Sequence, residues 1–186
     1  MEADWEIEVG GETPVIEALW PGFVDLRRTP ERAWQLAEAG DLPALGEALA
    51  RLNAPGSPVW TSKCDFWPAI EATEFDPDEL DARPGDAVQA MGCYIDLLPR
   101  AGQQWVMHTE AASACKYICR LLRAVPLRCC HVDLVIRRAV ITPDGMDLGI
   151  TAYLTSCGLT AAAATQTLQA ALTAFADALC LHSTLQ

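Results

Sequence analysis

The chain has 186 residues, half of them apolar, and carries 25 acids against 13 bases for a formal charge of −12. A chain of this length and apolar content buries a core without covalent staples, which sets disorder aside. The strongly negative charge sets nucleic acid aside, because neutralising phosphate supplies most of the affinity for it. The acidity is uneven: residues 1–104 hold 20 acids and 7 bases, residues 105–186 only 5 and 6.

Trp5, Ile7 and Val9 alternate with Glu6 and Glu8, predicting a short acidic strand closed by Gly10 and Gly11. Its first residues lack the basic and apolar regions of a secretory signal, so a cytoplasmic protein with reduced thiols is expected despite eight cysteines. Thr29-Pro30-Glu31 predicts an N-cap and a first helical turn, with a helix ending at Gly40. Asp41 is the expected cap of a second helix to about Asn53, with Leu42, Leu45, Leu49 and Leu52 on one face. These two form a helical hairpin. From Ala54 to Asp86 prolines and acids interrupt every period, and an irregular segment pinned by Trp60, Phe66 and Trp67 is expected.

Ala87–Leu98 reads as a strand with Met91, Cys93, Ile95 and Leu97 on one face. Thr109 is the expected N-cap of a helix to about Val125, striped by Ala111, Cys115, Ile118 and Leu122. Arg128–Ile141 and Met146–Cys157 form two long strands, and Thr160–Leu181 a long Ala-rich helix. A three-residue turn, Pro143-Asp144-Gly145, pairs Thr142 with Met146 and keeps both apolar faces on one side. The fold expected is therefore α+β: a ferredoxin-like β-α-β-β-α core with an antiparallel sheet and helices on one face, over residues 86–186. Residues 1–85 make an N-terminal subdomain, whose Trp5–Val9 or Val59–Ser62 supplies a further strand.

Function is sought on the sheet face that the helices leave open. In the expected register His131 lies opposite Cys157, Asp133 opposite Thr155, Val135 opposite Tyr153 and Arg137 opposite Thr151, with Gly92, Tyr94 and Asp96 added by the earlier strand. Arg137 suits an anion, Tyr153 and Tyr94 offer aromatic walls, and Thr151, His131 and Asp133 supply hydrogen bonds. The first expectation is accordingly a binding or accessory protein for a small polar or anionic ligand. Cys129, His131 and Cys157 fall short of a zinc spacing and lack a fourth ligand, so no metal is expected.

A second expectation, from another class, is a thiol-dependent enzyme. Lys63 beside Cys64 favours a thiolate, His108 is the candidate base, and Glu110 or Asp65 the orienting acid. No G-x-G-x-x-G, P-loop, G-x-S-x-G or H-E-x-x-H is present, and no cofactor is expected. Lys116, Arg120 and Arg123 make a basic stripe suited to solvent or to the acids of 76–81.

No stretch is apolar enough to suggest a membrane partner. Leu159–Leu181 is interrupted by Gln166, Gln169, Asp177 and four threonines. Asp177 is nevertheless the one charged residue between Leu148 and Gln186. Leu168, Leu172, Phe175 and Leu179 form the stripe facing the sheet, while Ala163, Thr167, Ala170, Thr173 and Ala174 leave a small, uncharged side. That side predicts an apposed element: the chain's own helical hairpin, or the same helix of a second subunit in a homodimer, which is favoured. Sedimentation at micromolar concentration is expected to give a dimer mass, halved by Thr167→Glu with Ala174→Glu. A monomer before substitution, with mass and stability unchanged after it, would contradict the dimer.

Overall fold

A computed structural model of the chain describes residues 1–8, 10, 14–18, 20–71, 75–83, 85–100, 105, 107–142 and 145–182. The strands are β1 (Glu2–Ile7), β2 (Ile16–Glu17), β3 (Val59–Glu71), β4 (Gln89–Pro99), β5 (Cys130–Thr142) and β6 (Gly145–Gly158). The helices are α1 (Ala37–Asp41), α2 (Pro43–Leu52), α3 (His108–Arg123) and α4 (Ala161–His182), with 3-10 turns at Pro30–Gln35 and Asp78–Leu80. The α+β class holds.

All six strands join one sheet in the order β1-β5-β6-β4-β3, with β2 also on β5. The sheet is mixed and not antiparallel throughout, because β1 and β2 both pair parallel to β5. Both halves of the sequence therefore contribute to one layer. Alternation along β4, β5 and β6 turns Ile95, Leu97, Leu134, Ile136, Ile150 and Leu154 toward the helices, all of them fully buried. Leu168, Leu172, Phe175 and Leu179 of α4 pack onto that face, as do Cys115, Ile118 and Leu122 of α3 and Leu45, Leu49 and Leu52 of α2.

Local chemistry moved several boundaries. The first helix begins as a 3-10 turn, and Thr29 makes no side-chain cap. Gly40 and Asp41 lie inside α1, and α2 starts at Pro43 because proline holds the preceding residue out of the helical region. Leu42, at φ −128° and ψ 84°, is thus the N-cap. Met107 precedes α3 in extended backbone, and the Glu110 carboxylate accepts its N–H at 3.2 Å, so Thr109 belongs to the first turn.

The larger departure is β3, where an irregular segment was expected. Two bulges hide it: Thr61 pairs with Leu97 and Cys64 with Ile95, then Trp67 with Gly92 and Ile70 with Ala90. Each interval holds one residue more on β3 than on β4, which shifts the alternation and erases the period of two. Pro68 stands in the second bulge, where its missing N–H is tolerated.

At one end the sheet curls on itself. Besides the pairing of β2 with β5, the carbonyls of Glu17 and of Ala18 just beyond β2 accept from the Ser62 hydroxyl of β3, at 2.8 and 3.3 Å. Ile16, Ala18, Trp60, Leu98 and Ala139 fill the inside of this curl. At the other end Leu80 and Ala82 cover Ala87, Ala90 and Cys157, and Arg128 pairs with Asp81 at 2.9 Å.

The basic stripe of α3 is spent locally. Lys116 lies 5.2 Å over the Trp5 ring, Arg120 5.0 Å over Tyr117, and Arg123 pairs with Asp4. The helical hairpin packs against α4, where Arg51 pairs with Asp177. No helix among the described residues is long and apolar enough to cross a membrane.

Asn53 ties the hairpin to β3. Fully buried after α2, it donates to the Leu49 carbonyl at 2.8 Å and to Thr61 Oγ1 at 2.7 Å, and accepts from the Thr61 N–H at 3.1 Å. Asn53→Ala leaves these groups buried and unmatched, so a loss of about 2–4 kcal/mol is expected in urea unfolding.

Candidate functional site: the inner face of the curled sheet

The face opposite the helices is organised in cross-strand rows. One row runs Asp65, Tyr94, Tyr153, Asp133 and Asp4 from β3 to β1. The next runs Asp96, Thr151, Val135 and Glu6. On the other side lie Trp67, Gly92, Thr155, His131 and Glu2. Beyond Thr151, Arg137 pairs with Gly149.

The expected register of β5 and β6 is corrected by two residues. His131 faces Thr155, not Cys157; Asp133 faces Tyr153, Val135 faces Thr151 and Arg137 faces Gly149. Thr142 pairs with Gly145, and a bulge between Val140 and Thr142 takes up the odd residue. A slip of two preserves parity, so every side chain keeps its face. Pro143 and Asp144 lie outside the described residues.

Between the inner face and the strap containing β2 lies a cavity of about 200 Å³, lined by Pro14, Val15, Ile16, Tyr94, Asp96, Arg137, Thr151 and Tyr153. Four of the six residues expected to bind ligand thus come together: Arg137, Thr151, Tyr153 and Tyr94. Arg137 organises them. Its Nη1 donates to the Tyr153 hydroxyl at 2.9 Å and to Thr151 Oγ1 at 3.2 Å, its Nε donates to the Glu8 carboxylate, and its guanidinium lies 5.5 Å from the Tyr153 ring centre. Burial opposes its charge, but the bonds to Tyr153 and Glu8 hold its pKa above the ordinary value.

Thr151 passes this polarity on. Its hydroxyl accepts from Arg137, which has no acceptor of its own, and therefore donates to Asp96 Oδ1 at 2.7 Å. Asp96 is only 6% exposed. Burial raises its pKa, against the opposing pull of the Thr151 bond, Arg137 and Lys63. The Tyr94 and Tyr153 rings sit 6.1 Å apart at 43°. Burial, with Asp96 nearby, also raises the Tyr94 pKa.

The other two expected ligands form a separate group further along the face. His131 Nε2 stands 3.4 Å from Asp133 Oδ1 and 3.6 Å from Asp4 Oδ2. These are ion-pair distances without hydrogen-bond geometry, and Nε2 is buried with no hydrogen bond. Burial raises the Asp133 pKa, which His131 opposes and the acids Asp4, Glu6 and Glu79 reinforce. Cys157 lies away from this group; its N–H donates to the Cys129 carbonyl at 2.9 Å.

The residues of the thiol expectation stand apart. Cys64 faces the helices from β3, beside a small cavity of about 70 Å³ that Glu38, Leu49 and Ser62 also line. Burial first, and then Glu38, Asp65 and Asp96, push its thiol up to about 12. Lys63 sits 5.8 Å over the Trp20 ring. His108 and Glu110 open α3, which packs on β1 and β5 at the edge opposite β3.

Glu8 and the strap 14–16 were not among the expected site residues, and Asp96 was expected on this face without a ligand-binding role. Asp96 carried a readable signal: it is the one charge between Met91 and Leu98, in a strand otherwise suited to burial. Glu8 and the strap carried none, because only tertiary pairing brings them to Arg137. Comparisons of the chain with family models, with curated proteins and with solved structures gave no match.

The raised pKa of Asp96 has a definite sign. Above the ordinary carboxylate value of 3.8 the unfolded chain has released a proton that the native Asp96 still holds, so the group lowers stability as pH climbs through the window up to its raised value. Asp96→Asn keeps an acceptor for Thr151 and removes the buried charge. The variant is expected to melt higher than the unsubstituted protein at neutral pH, with the difference shrinking toward about pH 4; Tm against pH measures this.

Proposed function

We propose that this protein is a non-enzymatic binding protein that holds a small polar ligand in the cavity between the β2 strap and the inner sheet face. The observation that carries this reading is the coupled set Arg137, Thr151, Asp96 and Tyr153 lining one cavity of about 200 Å³. Pockets that bind small molecules combine apolar walls with a few placed polar groups, and here Pro14, Val15 and Ile16 supply the apolar wall. The volume suits a metabolite of modest size and not a drug-sized molecule.

The frame beneath the site reads as ferredoxin-like in its β4-α3-β5-β6-α4 portion. Support comes from β6 lying between β4 and β5, with α3 joining those two. Such a frame hosts many functions and does not select among them.

Thermal-shift screening against a library of small polar compounds of both charge signs tests the binding reading. A compound at about 100 times its Kd is expected to add about 2.7 kcal/mol of native stability. Val15→Trp, which fills the cavity, is expected to fold and to lose the response. A library without a stabilising compound, or a response that survives Val15→Trp, overturns the site.

A further inference from the structure

Resting on that reading, we infer that the ligand carries a primary ammonium group, seated against Asp96 and the rings of Tyr94 and Tyr153. The charge of the inner face points this way. Its rows, with Glu8 added, hold seven carboxylates and one guanidinium. That guanidinium is already engaged on two of its three nitrogens, since Glu8 takes its Nε while Thr151 and Tyr153 take Nη1. Arg137 and Glu8 sum to neutrality, and an arriving carboxylate would enter a field set by the remaining six carboxylates.

Asp96 stands in the opposite condition. More than nine-tenths buried, it lines the cavity with one oxygen bonded to Thr151, and among the described residues the other oxygen has no hydrogen bond. A buried carboxylate served on one oxygen is a site for a cation that can donate. An ammonium offers three donors to the open oxygen of Asp96 and to the tyrosine hydroxyls of the same cavity, that of Tyr153 already accepting from Arg137. Burial raises the Asp96 pKa even against the pull of Thr151, Arg137 and Lys63, and a further cation beside the carboxylate would oppose that rise.

The aromatic neighbours fit the same group. Tyr94 and Tyr153 are direct cross-strand partners with ring centres 6.1 Å apart. A cation within about 6 Å of such a ring gains from its quadrupole, the more so when water is excluded. Asp65 of β3 and Asp133 of β5 flank the two tyrosines on the neighbouring strands and extend the attraction toward the cavity.

Isothermal titration with three probes of equal length decides it: butylammonium, butyrate and butanol. Saturable binding is expected for butylammonium and none for butyrate. Asp96→Asn is expected to weaken butylammonium at least tenfold, and Tyr94→Leu, which keeps the carboxylate, about threefold. Unchanged butylammonium affinity in Asp96→Asn, or butyrate binding as tightly as butylammonium, overturns the ammonium assignment. If library compounds of other charge still stabilise the protein in a Val15-dependent way, the cavity reading survives that failure; if none does, both fall.

Discussion

The seat of Ile16 on Gly149 is the contact on which the inner face depends. A Cβ built on Gly149 would stand 2.7 Å from the Ile16 δ-methyl and 3.0 Å from the Leu97 carbonyl oxygen. Only a residue without a side chain lets the strap lie this close to β6. Once seated, Ile16 brings β2 to β5 on one side and the carbonyls of Glu17 and Ala18 to Ser62 on the other. The curl follows, then the apolar plug around Trp60, and above the plug the cavity. An open, flat sheet would leave Arg137 and Asp96 in water, where neither would be oriented nor shifted in pKa.

The two faces of the sheet solve different problems with the same alternation. Toward the helices, Cys93, Cys115 and Cys130 are buried and act as small hydrophobes, with burial raising each thiol. Toward the strap, burial falls on charged groups, and these are chained: Glu8 to Arg137, Arg137 to Thr151, Thr151 to Asp96. A buried polar network of this kind is costly unless each member is satisfied. Among the described residues the second oxygen of Asp96 has no hydrogen bond, so the carboxylate end of the network stays open where it lines the cavity.

Closeness of one backbone to a neighbour recurs at Gly92, where an added Cβ would meet the Trp67 ring at 2.4 Å. Trp67 therefore sits over Gly92 of β4, on the β3 side of the inner face. With Leu80 and Ala82 covering the far end, the polar rows lie between two apolar lids. That arrangement gives a sheet face a definite interior without a second layer of helices.

Much of this was legible in residue order. Period-two alternation in β4, β5 and β6 assigned each side chain to its face, and a register slip of two residues left that assignment intact because the period is two. The stripe of α4 was readable for the same local reason. Tyr94, Arg137, Thr151 and Tyr153 could be grouped from alternation alone. What residue order could not carry was everything set by contacts between distant segments. Bulges at Thr61–Cys64 and Trp67–Ile70 scrambled the local period of β3, and Pro43 moved the helix start away from Asp41, the cap expected from residue order. The pairing of Glu8 with Arg137, 129 residues apart, and of Ser62 with the strap exists only once the sheet has curled. Short-range order decides which way a side chain points; closure of the sheet decides what it meets there.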